Sequence, residues 1–107
     1  MDANQIVWVY ITTGDVAEAQ AIGRALVEAR LAACVNIFPQ MESLYRWEGR
    51  LQQDREAVLI AKTVTDRFDS LKNKVLELHS YECPCIIALP VAQGHTAYIN
   101  WISGQVA

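Results

Sequence analysis

The chain contains no run of Lys or Arg, and its 9 basic residues are outnumbered by 12 acidic ones, for a net charge of -3. A protein that tracks a phosphate backbone needs a basic stripe, so nucleic acid is not an expected partner. No apolar stretch reaches the roughly 18 residues of a membrane span. Catalytic signatures are missing too. No serine sits in a Gly-x-Ser-x-Gly context, and there is no glycine-rich phosphate loop, His-Glu-x-x-His pattern or Cys-x-x-Cys pair. Carboxylates are scattered rather than paired on apolar segments, so nothing in the chain demands an enzyme. Cysteine is scarce and its count of 3 is odd, which argues against a secreted disulfide framework. Met1-Asp2-Ala3-Asn4 also lacks the basic start of a signal peptide, making a cytoplasmic setting the expectation.

What is present is a folded composition. The chain has 107 residues, 52% apolar and 20% charged, which fits one domain spanning 1–107 with a single core. The apolar share is slightly rich, as expected if some of that surface is buried between subunits. No low-complexity segment or Ser/Gly linker divides it. Gln5–Thr13 is nearly continuous in apolar and β-branched residues and reads as a central strand covered on both faces. Gly14-Asp15 stops it. Asp15 is a candidate helix N-cap, with Glu18 completing a capping box. Val16, Ala19, Ile22, Leu26 and Ala29 then carry a helix to about Arg30.

Ala32–Phe38 reads as a second strand, interrupted by Pro39 because proline lacks a ladder donor. Extended structure resumes over Met41–Trp47, turns at Glu48-Gly49-Arg50, and returns along Arg55–Thr63. Asp66 is a second N-cap candidate, ahead of an amphipathic helix marked by Phe68, Leu71, Val75 and Leu78. Ile86–Val91 is the last strand. Thr96–Ser103 is a short terminal helix with Tyr98, Trp101 and Ile102 inward and Gly104 as its stop. The order β-α-β-β-α-β-α predicts an α+β, ferredoxin-like β-α-β-β-α-β sandwich with a long β-hairpin and an extra C-terminal helix. Pro84 and Pro90 share one strand parity, so their missing donors fall on one side, as on an edge strand.

The densest chemistry lies in His79-Ser80-Tyr81-Glu82-Cys83-Pro84-Cys85. In an extended segment Cys83 and Cys85 share a face with Cα atoms about 7 Å apart, the outer limit for a disulfide. Thiolate and imidazole suit copper and zinc, so His79, Cys83 and Cys85 are candidate ligands, with others needed from another subunit. The alternative is that both thiols are small hydrophobes at a strand start and His79 caps a helix. Cys34 reads as a buried core thiol and His95 as an exposed loop residue. Tyr45, Trp47 and Glu48 on the hairpin, with Lys62 on the returning strand, form either a small-molecule cleft or cross-strand and interface packing. The charged stretch Glu48–Glu56 reads as a solvated hairpin tip.

Several segments in order resemble the CutA divalent-cation-tolerance family. They are Arg30-Leu31-Ala32-Ala33-Cys34-Val35-Asn36-Ile37, Ser43-Leu44-Tyr45-Arg46-Trp47-Glu48-Gly49, Lys62-Thr63, His79-Ser80-Tyr81-Glu82-Cys83-Pro84, Ile86-Ile87-Ala88-Leu89-Pro90-Val91 and Tyr98-Ile99-Asn100-Trp101-Ile102. The similarity runs from about Ile6 to Ile102. It implies a ferredoxin-like fold, a homotrimer built by edge-to-edge strand pairing, inter-subunit clefts like those of the PII signalling proteins, and no established reaction. It also implies a link to divalent-metal tolerance, with copper or another divalent or soft metal ion as the candidate cofactor. The ligand pattern carries over in part. His79 matches the family's histidine, whereas Ile11 and Leu78 stand where some members have a cysteine and a second histidine. Cys83 and Cys85 depart from the family pattern. The expectation is a non-enzymatic, metal-binding trimer. A PII-like sensor of a small anionic metabolite at Tyr45, Trp47 and Lys62, or a scaffolding trimer, is the alternative.

Overall fold

The computed structural model describes residues 4–107. The elements run β1 (Ile6–Thr13), α1 (Val16–Glu28), β2 (Cys34–Trp47), β3 (Arg50–Val64), a short 3-10 turn over Thr65–Arg67, α2 (Phe68–Leu78), β4 (Ile86–Pro90) and α3 (Thr96–Gln105). The sheet order is β2-β3-β1-β4 with every pairing antiparallel, which is the ferredoxin-like arrangement predicted above. Alternation along the two central strands sorts the core. Val7, Val9 and Ile11 of β1, with Ala57, Leu59 and Ala61 of β3, turn to one face. There they pack under Ala19, Ile22 and Leu26 of α1 and Leu71 and Val75 of α2. The opposite face is covered only at one end, where Ile102 and Val106 pack on Ile6, Ala33 and Val64.

Asp15 caps α1, its carboxylate accepting from the Glu18 N–H at 2.8 Å. The return bond of the predicted capping box is displaced by one residue, because Glu18 accepts from Gly14 rather than from the cap itself. α1 ends at Glu28, short of the expected Arg30, which turns into the left-handed region with φ 58. Gly23 lets α1 approach the sheet: a Cβ there would lie 2.9 Å from Val35 Cγ2.

Four expectations are corrected. Pro39 does not break β2. The strand runs through it with a register shift between Phe38 and Met41, a bulge that spends one extra residue on the edge strand, where a missing donor is tolerated. The bulge also reverses the alternation, so Met41, opposite Glu56, lies on the open face that Phe38 occupied before it. Asp66 does not cap α2. The cap position is Arg67, with no side-chain bond, because the 3-10 turn shifts the helix start. Gly104 does not stop α3, which runs to Gln105. Tyr98 and Trp101 are not buried. They stack on each other, with ring centroids 5.7 Å apart, and both stay exposed, although the Tyr98 hydroxyl reaches the sheet at Lys62.

The edge reading of Pro90 agrees with the register. Pro90 faces Val7, and the Val91 N–H donates to the Ile6 carbonyl at 2.9 Å. Successive N–H groups alternate in side, so the position without a donor is the one facing away from β1.

Candidate functional site

The β2–β3 turn is Glu48-Gly49, with φ of 51 and 78, a two-residue hairpin of the left-handed kind. It carries β2 and β3 well beyond β1, whose last partner on β3 is Ala57. Between this arm and the loop joining α2 to β4 lies a cavity of about 640 Å³. Tyr10 and Thr12 of β1, Met41, Tyr45 and Trp47 of β2, Glu56 of β3, and Tyr81, Cys83 and Cys85 of the loop contribute to its lining. The Pro39 bulge explains why Tyr45 and Trp47 join Met41 on this side.

Glu56 sits where the arm meets the body and is only 9% exposed. It is therefore no part of a solvated tip, as the charge run implied; its side chain is turned inward beside Tyr81, whose hydroxyl donates to Oε2 at 2.7 Å. Burial, then the Glu56 bond and charge, push the Tyr81 hydroxyl far above the ordinary tyrosine value. Burial and the Glu56 charge likewise push the Cys85 thiol up. Burial, Cys85 and Glu56 raise Tyr10, whose hydroxyl donates to Met41 Sδ at 3.4 Å. One carboxylate is thus felt by groups on β1 and on the 80–85 loop. Tyr45 hydrogen-bonds Asp54 at the rim, a bond that raises its hydroxyl.

His79 is the C-cap of α2 and its side chain has no exposed surface. Its Nε2 lies 2.7 Å from the Thr12 carbonyl, and its Nδ1 accepts from the Tyr81 N–H at 3.0 Å. The acceptor role of Nδ1 assigns the proton to Nε2, so both nitrogens are engaged in holding the loop to β1. Glu18 ties the same loop to α1, accepting from the Ser80 N–H at 2.7 Å. Burial works against the Glu18 carboxylate, yet bonds from Gly14 and Ser80 hold it below the usual range.

The structure therefore brings Cys83 and Cys85 to one cavity and keeps His79 behind its wall. Among the described residues no group of three or more His, Cys, Asp or Glu side chains is placed to hold a metal ion. All three cysteines are free. Tyr45 and Trp47 share the cavity, but Lys62 does not. It lies between Trp8 and Tyr98, 5.5 and 5.4 Å from the ring centroids, and donates to the Tyr98 hydroxyl at 3.1 Å. Cys34 is not a core thiol either. It is half-buried on the open face with Sγ 3.6 Å from the Tyr98 hydroxyl, because it pairs with Lys62 and shares that residue's side of the sheet. His95 is exposed ahead of α3, as expected. The residues that sequence reasoning passed over are Glu56, Tyr10, Tyr81 and Met41. The available signal was Glu56 itself, a charged residue abutting the buried run Ala57–Leu59.

Comparison with known proteins agrees with this geometry. The family model for CutA1 divalent ion tolerance protein matches residues 7–105. The Divalent-cation tolerance protein CutA of Thermus thermophilus is 48% identical over 94 residues, covering 88% of this chain and 91% of that one. Protein CutA of Homo sapiens is 41% identical over 93 residues, 87% of this chain and 52% of its own length. A solved structure described as the periplasmic divalent cation tolerance protein CutA from Archaeoglobus fulgidus superposes with a TM-score of 0.93 at 37% identity, covering 95% of this chain and 99% of that one. On fold, sequence and extent of match together, the chain belongs to the CutA1 divalent ion tolerance protein family.

Proposed function

We propose that this chain acts in the response to divalent and soft metal ions as a non-enzymatic, metal-binding homotrimer, with Cys83 and Cys85 supplying its metal donors. The observation that carries this reading is that both thiols line one cavity to which no Lys, Arg or His contributes. Thiolates select Cu(I) and similar soft ions, and a third donor comes from the Met41 thioether or from a second subunit. His79 enters as the residue that positions the 80–85 segment, since both its nitrogens are already bonded. Burial and Glu56 raise the Cys85 thiol, so a metal bound there displaces a proton. The family's description as divalent ion tolerance proteins supports the same reading, and three free thiols suit a reducing, cytoplasmic setting.

Titrating Cu(I) against the wild type and a Cys83→Ser/Cys85→Ser variant tests it. The variant is expected to lose the stoichiometric copper. Equal stoichiometry and affinity overturn the reading. The alternative, a PII-like sensor of a small anionic metabolite, has its aromatic half in the cavity as Tyr45 and Trp47. Its cation, Lys62, is turned to Trp8 and Tyr98 in the single chain. A scaffolding trimer draws support from the exposed apolar side chains Phe38, Ile87 and Leu89 on the sheet.

A further inference from the structure

We infer that the cavity between the hairpin arm and the 80–85 loop is a binding site for an organic ammonium cation, with Glu56 as its counter-ion. The inference starts from the cost of Glu56. A carboxylate that is 9% exposed normally faces a cation, because burying an unpaired charge is expensive. Among the described residues Glu56 has no ion pair; its one hydrogen bond comes from the neutral Tyr81 hydroxyl and takes Oε2, while Oε1 stays open to solvent. No Lys, Arg or His lines the cavity it faces. The site thus holds a negative charge and lacks the positive one.

The walls specify what kind of positive charge fits. Tyr10, Tyr45, Trp47 and Tyr81 contribute four aromatic side chains to the cavity that Glu56 lines. Aromatic faces attract cations through their ring quadrupole and suit alkylated ammonium groups, whose charge is spread over a methyl shell. The volume, about 640 Å³, lies within the roughly 300 to 1,000 Å³ of small-molecule sites and far exceeds a bare metal ion. The molecule already holds one ammonium this way, with Lys62 between Trp8 and Tyr98. The thiols are not needed for this occupant, so the inference stands apart from the copper reading.

The test is tryptophan fluorescence in a Trp8→Phe/Trp101→Phe background, which leaves Trp47 as the reporter, with tetramethylammonium and choline as probes. Saturable quenching is expected for both. The uncharged carbon isostere of choline is expected to bind at least about tenfold more weakly, and Glu56→Gln to weaken choline by about tenfold or more. The Cys83→Ser/Cys85→Ser variant is expected to bind choline within about twofold of the parent, so failure of the copper site leaves this result intact. Absence of saturation by either probe overturns the inference. So does equal binding of the uncharged isostere to the parent protein, a comparison that does not depend on any Glu56 variant folding.

Discussion

His79 shows how a side chain that reads as a ligand becomes a structural tie. Its ring is fully buried and spans from the Thr12 carbonyl to the Tyr81 N–H. His79→Ala removes the ring and strands both backbone groups, so a loss of about 2–4 kcal/mol is expected in urea unfolding. Copper stoichiometry in the folded fraction is expected to persist, which separates a positioning role from ligation. The sequence shows that histidine stands at the end of a helix, but not where its two nitrogens point, because Thr12 lies far away in the chain. Glu56 was illegible for a related reason. Five charged residues from Glu48 to Glu56 read as a solvated run, and only the pairing of Met41 with Glu56 after the bulge puts the last of them beside Tyr10 and Tyr81. Tyr45 and Trp47 were legible as a pair because they alternate on one strand, whereas Lys62 was grouped with them through strand order alone.

At the level of elements, the nearly continuous apolar run of β1, the Asp15 cap and the edge position of Pro90 were legible, since each records a local rule, whereas Pro84 lies in the loop before β4. Cap chemistry failed at Asp66, where an added 3-10 turn moved the helix start. Two substitutions probe the elements that hold the site. Gly23→Ala gains about 1 kcal/mol of helix propensity but forces a Cβ to 2.9 Å from Val35. The overpacking cost of about 1–3 kcal/mol is expected to win, lowering the thermal midpoint. Glu48 holds a positive φ beside Gly49, a conformation that favours Asn, so Glu48→Asn is expected to stabilise the hairpin by about 0.5 kcal/mol in the same assay. Glu18 joins the start of α1 to the loop after α2, and its value is depressed in the folded state. A depressed carboxylate contributes stability that is complete above its unfolded value and is lost as pH falls through its folded one. Glu18→Gln is therefore expected to lower the urea midpoint near pH 7 and to flatten its fall between about pH 5 and pH 3. An unchanged acid limb excludes this role.

For the whole molecule, the fold is longer than its size requires. The radius of gyration is 14.3 Å, and the principal extents are 44 × 26 × 22 Å, against about 13 Å expected for a compact chain of this length. The excess is the arm. The half of the sheet's open face that α3 leaves bare carries Phe38 on edge strand β2 and Ile87 on edge strand β4, each 54% exposed. Sedimentation equilibrium is expected to return three times the chain mass; a single-chain mass at micromolar concentration removes the trimer from the proposal. Between Glu42 and Arg55 the two strands of the arm pair only with each other in the sheet, and an isolated two-stranded ribbon is marginal in water. Leu44 and Leu51, 66% and 70% exposed, add no packing within the chain. The amides of Arg50–Arg55 thereby become a gauge of company. In dilute solution they exchange with deuterium almost as fast as an unfolded peptide, and they slow only as neighbouring chains come to rest on them.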